Sequence, residues 1–212
     1  MNGKTHVLVG LGGGFIASAL LYRAGIFDIP DVAATIVGSA VGSYVPDIDH
    51  TGSVAGKKMP LVSWPIKGLY NLFDALYNST NLKIFKKLSN MFTHRGLFHA
   101  PLFWLLLFVP TFLFLTPLID DTFVHGLVNA GLFGLLVGIL LHLLADMLNP
   151  TGIPLLMPII DKKFRLARIV TGSGGEMIFR ICMVVVLVVI GIISFSLMQG
   201  GSDGISLHSI FS

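Results

Sequence analysis

The run Thr93-His94-Arg95-Gly96-Leu97-Phe98-His99-Ala100-Pro101-Leu102-Phe103-Trp104-Leu105-Leu106-Leu107-Phe108-Val109 sets two histidines and an arginine at the mouth of a long apolar segment. The apolar part continues to Leu118 and is long enough to cross a bilayer. Ionisable residues are costly in membrane-spanning helices, so such residues at the end of one point to function. Two further clusters have the same form. Pro46-Asp47-Ile48-Asp49-His50 closes an earlier apolar run, and His142-Leu143-Leu144-Ala145-Asp146 closes a later one.

Outward from that stretch, the pattern repeats along the chain. Residues 5–22, 98–118, 123–148 and 177–198 are apolar runs, and residues 31–46 form a shorter one. Gly10-x-x-x-Gly14, Gly38-x-x-x-Gly42 and Gly134-x-x-x-Gly138 are the small-residue spacings that let membrane helices pack closely. Ala17-Ser18-Ala19 has the look of a signal-peptidase site, but Leu20-Leu21-Tyr22 continues the apolar run past it, so residues 5–22 are expected to remain as a helix. Pro101, Pro110 and Pro117 fall in the third span, where neighbouring helices can satisfy the freed carbonyls.

Composition agrees. The 212 residues are 54% hydrophobic and 12% charged, about half the charged fraction usual in soluble domains. No linker or charge block divides them, so residues 1–212 are expected to form one all-α domain. The expected architecture is a polytopic membrane helix bundle of about five embedded helices plus interfacial amphipathic helices. Cys182 is the sole cysteine, which excludes an intramolecular disulfide and a cysteine-based metal site.

Two segments are basic. Residues 51–92 carry Lys57, Lys58, Lys67, Lys83, Lys86 and Lys87 among apolar residues at helical spacing, the pattern of helices lying in the headgroup region. Residues 149–176 carry Lys162, Lys163, Arg165 and Arg168. Both are expected on the cytoplasmic side, with the N-terminus inside, while the Asp120-Asp121 loop and the 199–212 tail face outward. This orientation brings His6, Asp47, Asp49, His50, His94, Arg95, His99, His142, Asp146 and Glu176 to the inner ends of five segments. His125 and His208 fall at the outer ends and are given no role.

The clustered residue types suit a transition metal. His142 and Asp146 are four apart and share a helix face. His94 and His99 are five apart, so an unwound turn before Pro101 is needed to align them. Asp47 and Asp49 are two apart and share a side only if the chain there is extended. Imidazole with carboxylate suits zinc, manganese or iron. The set exceeds one tetrahedral site and would serve two ions, as in phosphoester hydrolysis.

The ordered set Thr5-His6, Pro46-Asp47-Ile48-Asp49-His50, His94-Arg95-Gly96-x-x-His99 and His142-x-x-x-Asp146, followed by Thr151-Gly152-Ile153-Pro154, resembles the LexA-regulated, membrane-bound metal-dependent hydrolase family (YdjM-like). The resemblance implies a bacterial inner-membrane protein with metal ligands at His6, Asp47, Asp49, His50, His94, His99, His142 and Asp146. Ala100 follows His99 where many members carry serine, which removes a hydroxyl there. The expected activity is hydrolysis of a lipid phosphoester at the cytoplasmic surface, using two zinc or manganese ions. Arg95 would bind a phosphate oxygen, and Asp49 or Glu176 would act as general base or acid. Membrane lipids are the expected partners, and no nucleic acid is expected. The rivals are a metal or ion transporter and a non-catalytic membrane protein with a structural metal. Charges at one end of the spans, with apolar mid-span positions, disfavour transport.

Overall fold

The structure, a computed structural model, describes residues 2–200, with side chains through Ile192. The 199–212 tail read as outward-facing lies almost wholly outside the described residues, and His208 lies outside them.

Helix α1 spans Gly3–Arg23 and begins where the Asn2 side chain accepts the Thr5 amide. Helix α2 spans Ile29–Gly42 and starts at a capping box, in which the Asp28 and Asp31 side chains each accept the other residue's amide. At 14 residues α2 is too short to cross alone, and it packs between α1 and α7 (Thr122–Met147). Glycine makes that packing possible. A Cβ at Gly138 would collide with the Ser39 carbonyl oxygen, and one at Gly42 with that of Leu135. Ser39 Oγ donates to the Gly10 carbonyl at 2.6 Å and Thr35 Oγ1 to that of Ala130 at 3.1 Å, which ties the three helices with buried polar bonds.

A 3-10 turn, Val45–Asp49, follows α2. The chain then makes a short helix α3 (Val54–Lys58) and the pair α4 (Pro60–Thr80) and α5 (Lys83–Met91). Asn81, at φ 56°, turns the chain between α4 and α5. Phe73 stacks on Phe92 across the pair, and Lys86 lies 3.5 Å from Asp74. Leu61, Trp64, Leu72 and Ile84 stay exposed among lysines, as the amphipathic pattern predicts.

A second 3-10 turn, Leu97–His99, leads into α6 (Pro101–Pro110). Past Pro110 the helix widens into a π turn, Thr111–Leu115, and ends in a 3-10 turn, Thr116–Leu118. A core of Trp104, Phe108, Ile139, Leu143 and Ile153 joins α6 to α7, and Trp104 Nε1 donates to the Phe98 carbonyl at 2.8 Å. Beyond α7, Ile153–Pro154 (β1) pairs antiparallel with Lys163–Phe164 (β2). The amides of Leu166 and Ile169 bond the carbonyls of Met147 and Leu148, which caps the α7 terminus with this loop. Helix α8 (Gly174–Gly200) packs along α1, and its side chains described through Ile192 otherwise face outward. Among the described residues, four helical segments are long and apolar enough to cross a membrane: Gly3–Arg23, Pro101–Leu118, Thr122–Met147 and Gly174–Ile192.

Candidate metal centre

Four segments bring polar side chains to one end of the bundle. His6 comes from the first turns of α1, Asp47 and Asp49 from the turn after α2, His94 and His99 from the loop before α6, and His142 and Asp146 from the last turns of α7. They form three triads, His6/His142/Asp146, Asp47/His99/His142 and Asp49/His94/His99. Within each, the offered nitrogen and oxygen atoms lie within 4.8 Å of one another. The triads share His142 and His99, so they are one continuous centre.

His99 is its middle. Its Nε2 lies 3.5 Å from Asp47 Oδ1 and 3.7 Å from Asp146 Oδ2, and its Nδ1 lies 3.5 Å from Asp49 Oδ2. Asp47 and Asp49 would share a side only in extended chain; the chain there is a 3-10 turn. At three residues per turn, positions two apart point about 120° apart. The two carboxylates therefore bracket one imidazole from its two nitrogens, which a shared strand face would not achieve.

The loop carrying His94 and His99 is unwound, as their spacing requires. Arg95 sits at φ 62°, a left-handed conformation costing an L-residue about 1–2 kcal/mol. A Cβ at Gly96 would collide with the Met91 carbonyl oxygen. These two residues swing the chain so that both histidines reach Asp49, with His94 Nδ1 3.1 Å from Asp49 Oδ1. Arg95 Nη2 lies 3.2 Å from Asp146 Oδ2.

The donor set fits a divalent ion on three observations. His142 Nδ1 is 2.7 Å from the Ser43 carbonyl oxygen, which can only accept, so the proton is on Nδ1. Its Nε2 lone pair then faces Asp47 Oδ1 at 3.7 Å, two acceptors with no proton between them. Secondly, both nitrogens of His99, Nε2 of His142 and Oδ2 of Asp49 are buried without a hydrogen bond, an expensive state unless something else satisfies them. Thirdly, the separations of 3.3–3.7 Å between the aspartates and His6, His99 and His142 exceed good hydrogen bonds, yet match ligand atoms around zinc. Bonds of about 2.0–2.1 Å put tetrahedral ligands about 3.3 Å apart.

Electrostatics agree. Burial works against charge on Asp47, but the nearby imidazoles of His99, His142 and His6 outweigh that and hold it well below the usual carboxylate range. Asp49 is lowered in the same way, against burial, by His94 and His99. Burial alone would neutralise His99; Asp47, Asp49 and Asp146 push it up to about 9. Without an ion, a proton on His99 does part of the work of a cation.

Two expected residues stand apart. His50 is exposed and belongs to none of the triads; its ring lies 4.7 Å from that of His94, with centroids tilted. Glu176 is also outside the triads. Its Oε1 accepts from the Asn2 amide and the Thr5 hydroxyl, and its Oε2 from the Gly172 amide, each at 2.7 Å. That is the place of a latch holding the start of α1 beside His6, not of an acid or base at the triads. His125 lies at the opposite end of α7, against Asn129. One residue escaped the sequence pattern. Asn149, 2% exposed, donates from Nδ2 to Asp146 Oδ1 at 3.0 Å and accepts from Thr171. Its signal is a polar side chain three residues beyond Asp146 at a helix end.

Residues 1–202 match the model of the family described as YdjM inner membrane protein. The uncharacterized protein YvsG of Bacillus subtilis is 31% identical over 83% of this chain and 85% of its own length. The inner membrane protein YdjM of Escherichia coli is 32% identical over 70% of this chain, and the matched stretch spans 61% of that relative's length. No solved structure matches the chain. With its apolar spans and its polar centre at their ends, this chain belongs to the YdjM inner membrane protein family.

Proposed function

We propose that this protein is a membrane-bound, metal-dependent hydrolase that cleaves a phosphoester of a lipid or lipid-linked substrate. The observation that carries the reading is the fused set of three triads around His99 and His142, open to a cleft at His94. Two ions, zinc or manganese, would be shared among His6, Asp47, Asp49, His94, His99, His142 and Asp146. A purely structural site would be closed; here the His94 side chain is 40% exposed and Asp49 lines the cleft.

Bound divalent cations supply Lewis acidity to phosphoester hydrolysis. The chain's own residues do the rest. Asp49 accepts the proton of the attacking water through Oδ2, which makes no hydrogen bond in the protein. Arg95 spends Nη2 on Asp146 and keeps other N–H donors for a phosphoryl oxygen, where negative charge builds. The water oxygen joins phosphorus, the ester P–O bond breaks, and the leaving alkoxide takes a proton from solvent. The lysines of residues 57–87 and 162–163 fall in the two segments that flank the centre's loops, which by the positive-inside tendency supports a site on the cytoplasmic face.

The test is elemental analysis of the detergent-purified protein beside a His94→Ala/His142→Ala variant, followed by phospholipid turnover. About two transition-metal ions per chain, lost in the variant together with turnover, support the reading. A chain that binds no ion after incubation with zinc or manganese overturns it.

A further inference from the structure

Two clefts meet at the centre and share His94 in their linings. The first, about 350 Å³, has Asp49 in its lining and runs beside α4, with Lys67, Tyr70 and Phe92 along it. The second, about 490 Å³, lies against the loop after α7 and is lined by Arg95, Asn149, Thr151, Lys163 and Thr171.

The two linings differ in chemistry. The first holds Lys67, Tyr70 and Phe92 together with Asp49 and Thr51, and α4 carries on from it into an apolar face on which Leu61 is 89% and Trp64 69% exposed. The second offers hydroxyl and amide groups with two cations, and none of the residues lining it is acidic. A molecule crossing His94 therefore meets the exposed apolar face of α4 beyond the first cleft, and a positive, hydrogen-bonding lining in the second.

We infer that the centre takes an anionic phospholipid in one orientation: acyl chains along α4, phosphate at His94 between Lys67 and Arg95, and headgroup in the cleft under Lys163. Among the described residues that line the cleft there is no carboxylate to pair with a quaternary ammonium, Asp146 behind it is engaged by Arg95 and Asn149, and Lys163 repels one. A choline lipid is therefore disfavoured through its headgroup, whereas a glycerol headgroup finds donors and acceptors on Thr151, Asn149 and Thr171. The inference deepens the hydrolase reading by naming its substrate class, and it rests on that reading only for the bond that breaks.

The test uses the full chain in nanodiscs with phosphatidylglycerol or phosphatidylcholine, each bearing a photoreactive diazirine at the acyl end or on the headgroup. Cross-linked peptides are mapped by mass spectrometry. The expected result is acyl labelling within residues 61–73 and headgroup labelling within residues 149–171. Phosphatidylglycerol should outcompete phosphatidylcholine for headgroup labelling by about fivefold or more, the scale of one cation near a membrane surface. Lys163→Glu should bring that ratio to about one while metal content stays unchanged. Equal headgroup labelling by the two lipids, or acyl labelling of residues 149–171, overturns the inference. Turnover of the same phosphatidylglycerol is read in parallel. The expected labelling without turnover removes the hydrolase reading and supports the orientation, and scrambled labelling with turnover does the reverse.

Discussion

The Nδ1 atom of His142 on α7 lies 2.7 Å from the backbone carbonyl oxygen of Ser43 at the end of α2. This one bond fixes the tautomer and aims Nε2 at the carboxylates, the outer-shell device that orients metal-binding histidines. Because α2 and α7 pack through glycine, the carbonyl cannot drift from the ring without opening that contact. His142→Ala is expected to lower metal stoichiometry, read by elemental analysis. His50→Ala is expected to leave it unchanged, since the exposed His50 ring joins none of the triads. Equal losses in the two variants would remove the assignment of ligands by burial.

Asn149 acts through Asp146. Its amide donates to Oδ1 of a carboxylate that also faces His6 at 3.3 Å and Arg95 at 3.2 Å. Loss of such an outer partner typically weakens metal binding about 10–100-fold. Asn149→Ala should therefore bind zinc more weakly by that factor in a competition titration with a chelator, and Asn149→Asp, which places two carboxylates in contact, should be worse still. Unchanged affinity in Asn149→Ala would mean that Asp146 is held by its other neighbours alone.

Arg95 combines a charge with a strained backbone. Arg95→Ala and Arg95→Gly both remove the guanidinium from Asp146, but only glycine relieves the φ of 62°. The glycine variant should be the more stable by about 1 kcal/mol, seen as a higher midpoint of unfolding in detergent. Both should lose turnover alike. Identical midpoints would show that the 94–99 loop relaxes once the side chain is gone.

Much of this was legible from residue types at the ends of apolar runs. The spans, the amphipathic α4 and α5, and the gathering of His6, His94, His99, His142 and Asp146 follow from where charge is tolerated near a membrane. Local geometry was harder to read. Spacing alone tied Asp47 and Asp49 to one side through extended chain, yet the chain forms a 3-10 turn, in which the carboxylates face both nitrogens of His99, a residue fifty positions away. His50 looked equivalent to its neighbours, but it leaves the turn in extended backbone and points to solvent. Asn149 was masked by Pro150, which reads as a helix stop and explains the position without any partner for its side chain.

Proton release should accompany metal binding. With His99 pushed up to about 9 in the ion-free protein, a cation must displace its proton at any lower pH. The sign follows: apparent affinity falls as pH falls, by about tenfold per unit for one proton, between about pH 8 and pH 6. Calorimetric titrations with zinc in buffers of different ionisation enthalpy should report about one proton released per binding event. An affinity that stays flat over that range would place the displaced proton elsewhere.

Glu176 separates a structural role from a catalytic one. Its carboxylate takes three donors from Asn2, Thr5 and Gly172, and Thr5 precedes His6 in α1. Hydrogen bonds to a charged group contribute about 1.5–3 kcal/mol each when one partner is removed. Glu176→Ala should lower the unfolding midpoint markedly, with metal still bound by the folded fraction. Glu176→Gln keeps an acceptor oxygen for one side of the latch and should fall between the two. If Glu176 were instead a general acid or base, the pattern would invert: Glu176→Gln would keep its stability and its metal, and lose the ionisable limb of the pH profile of turnover. Measuring unfolding, metal content and the pH profile on the same two variants decides which role the residue has.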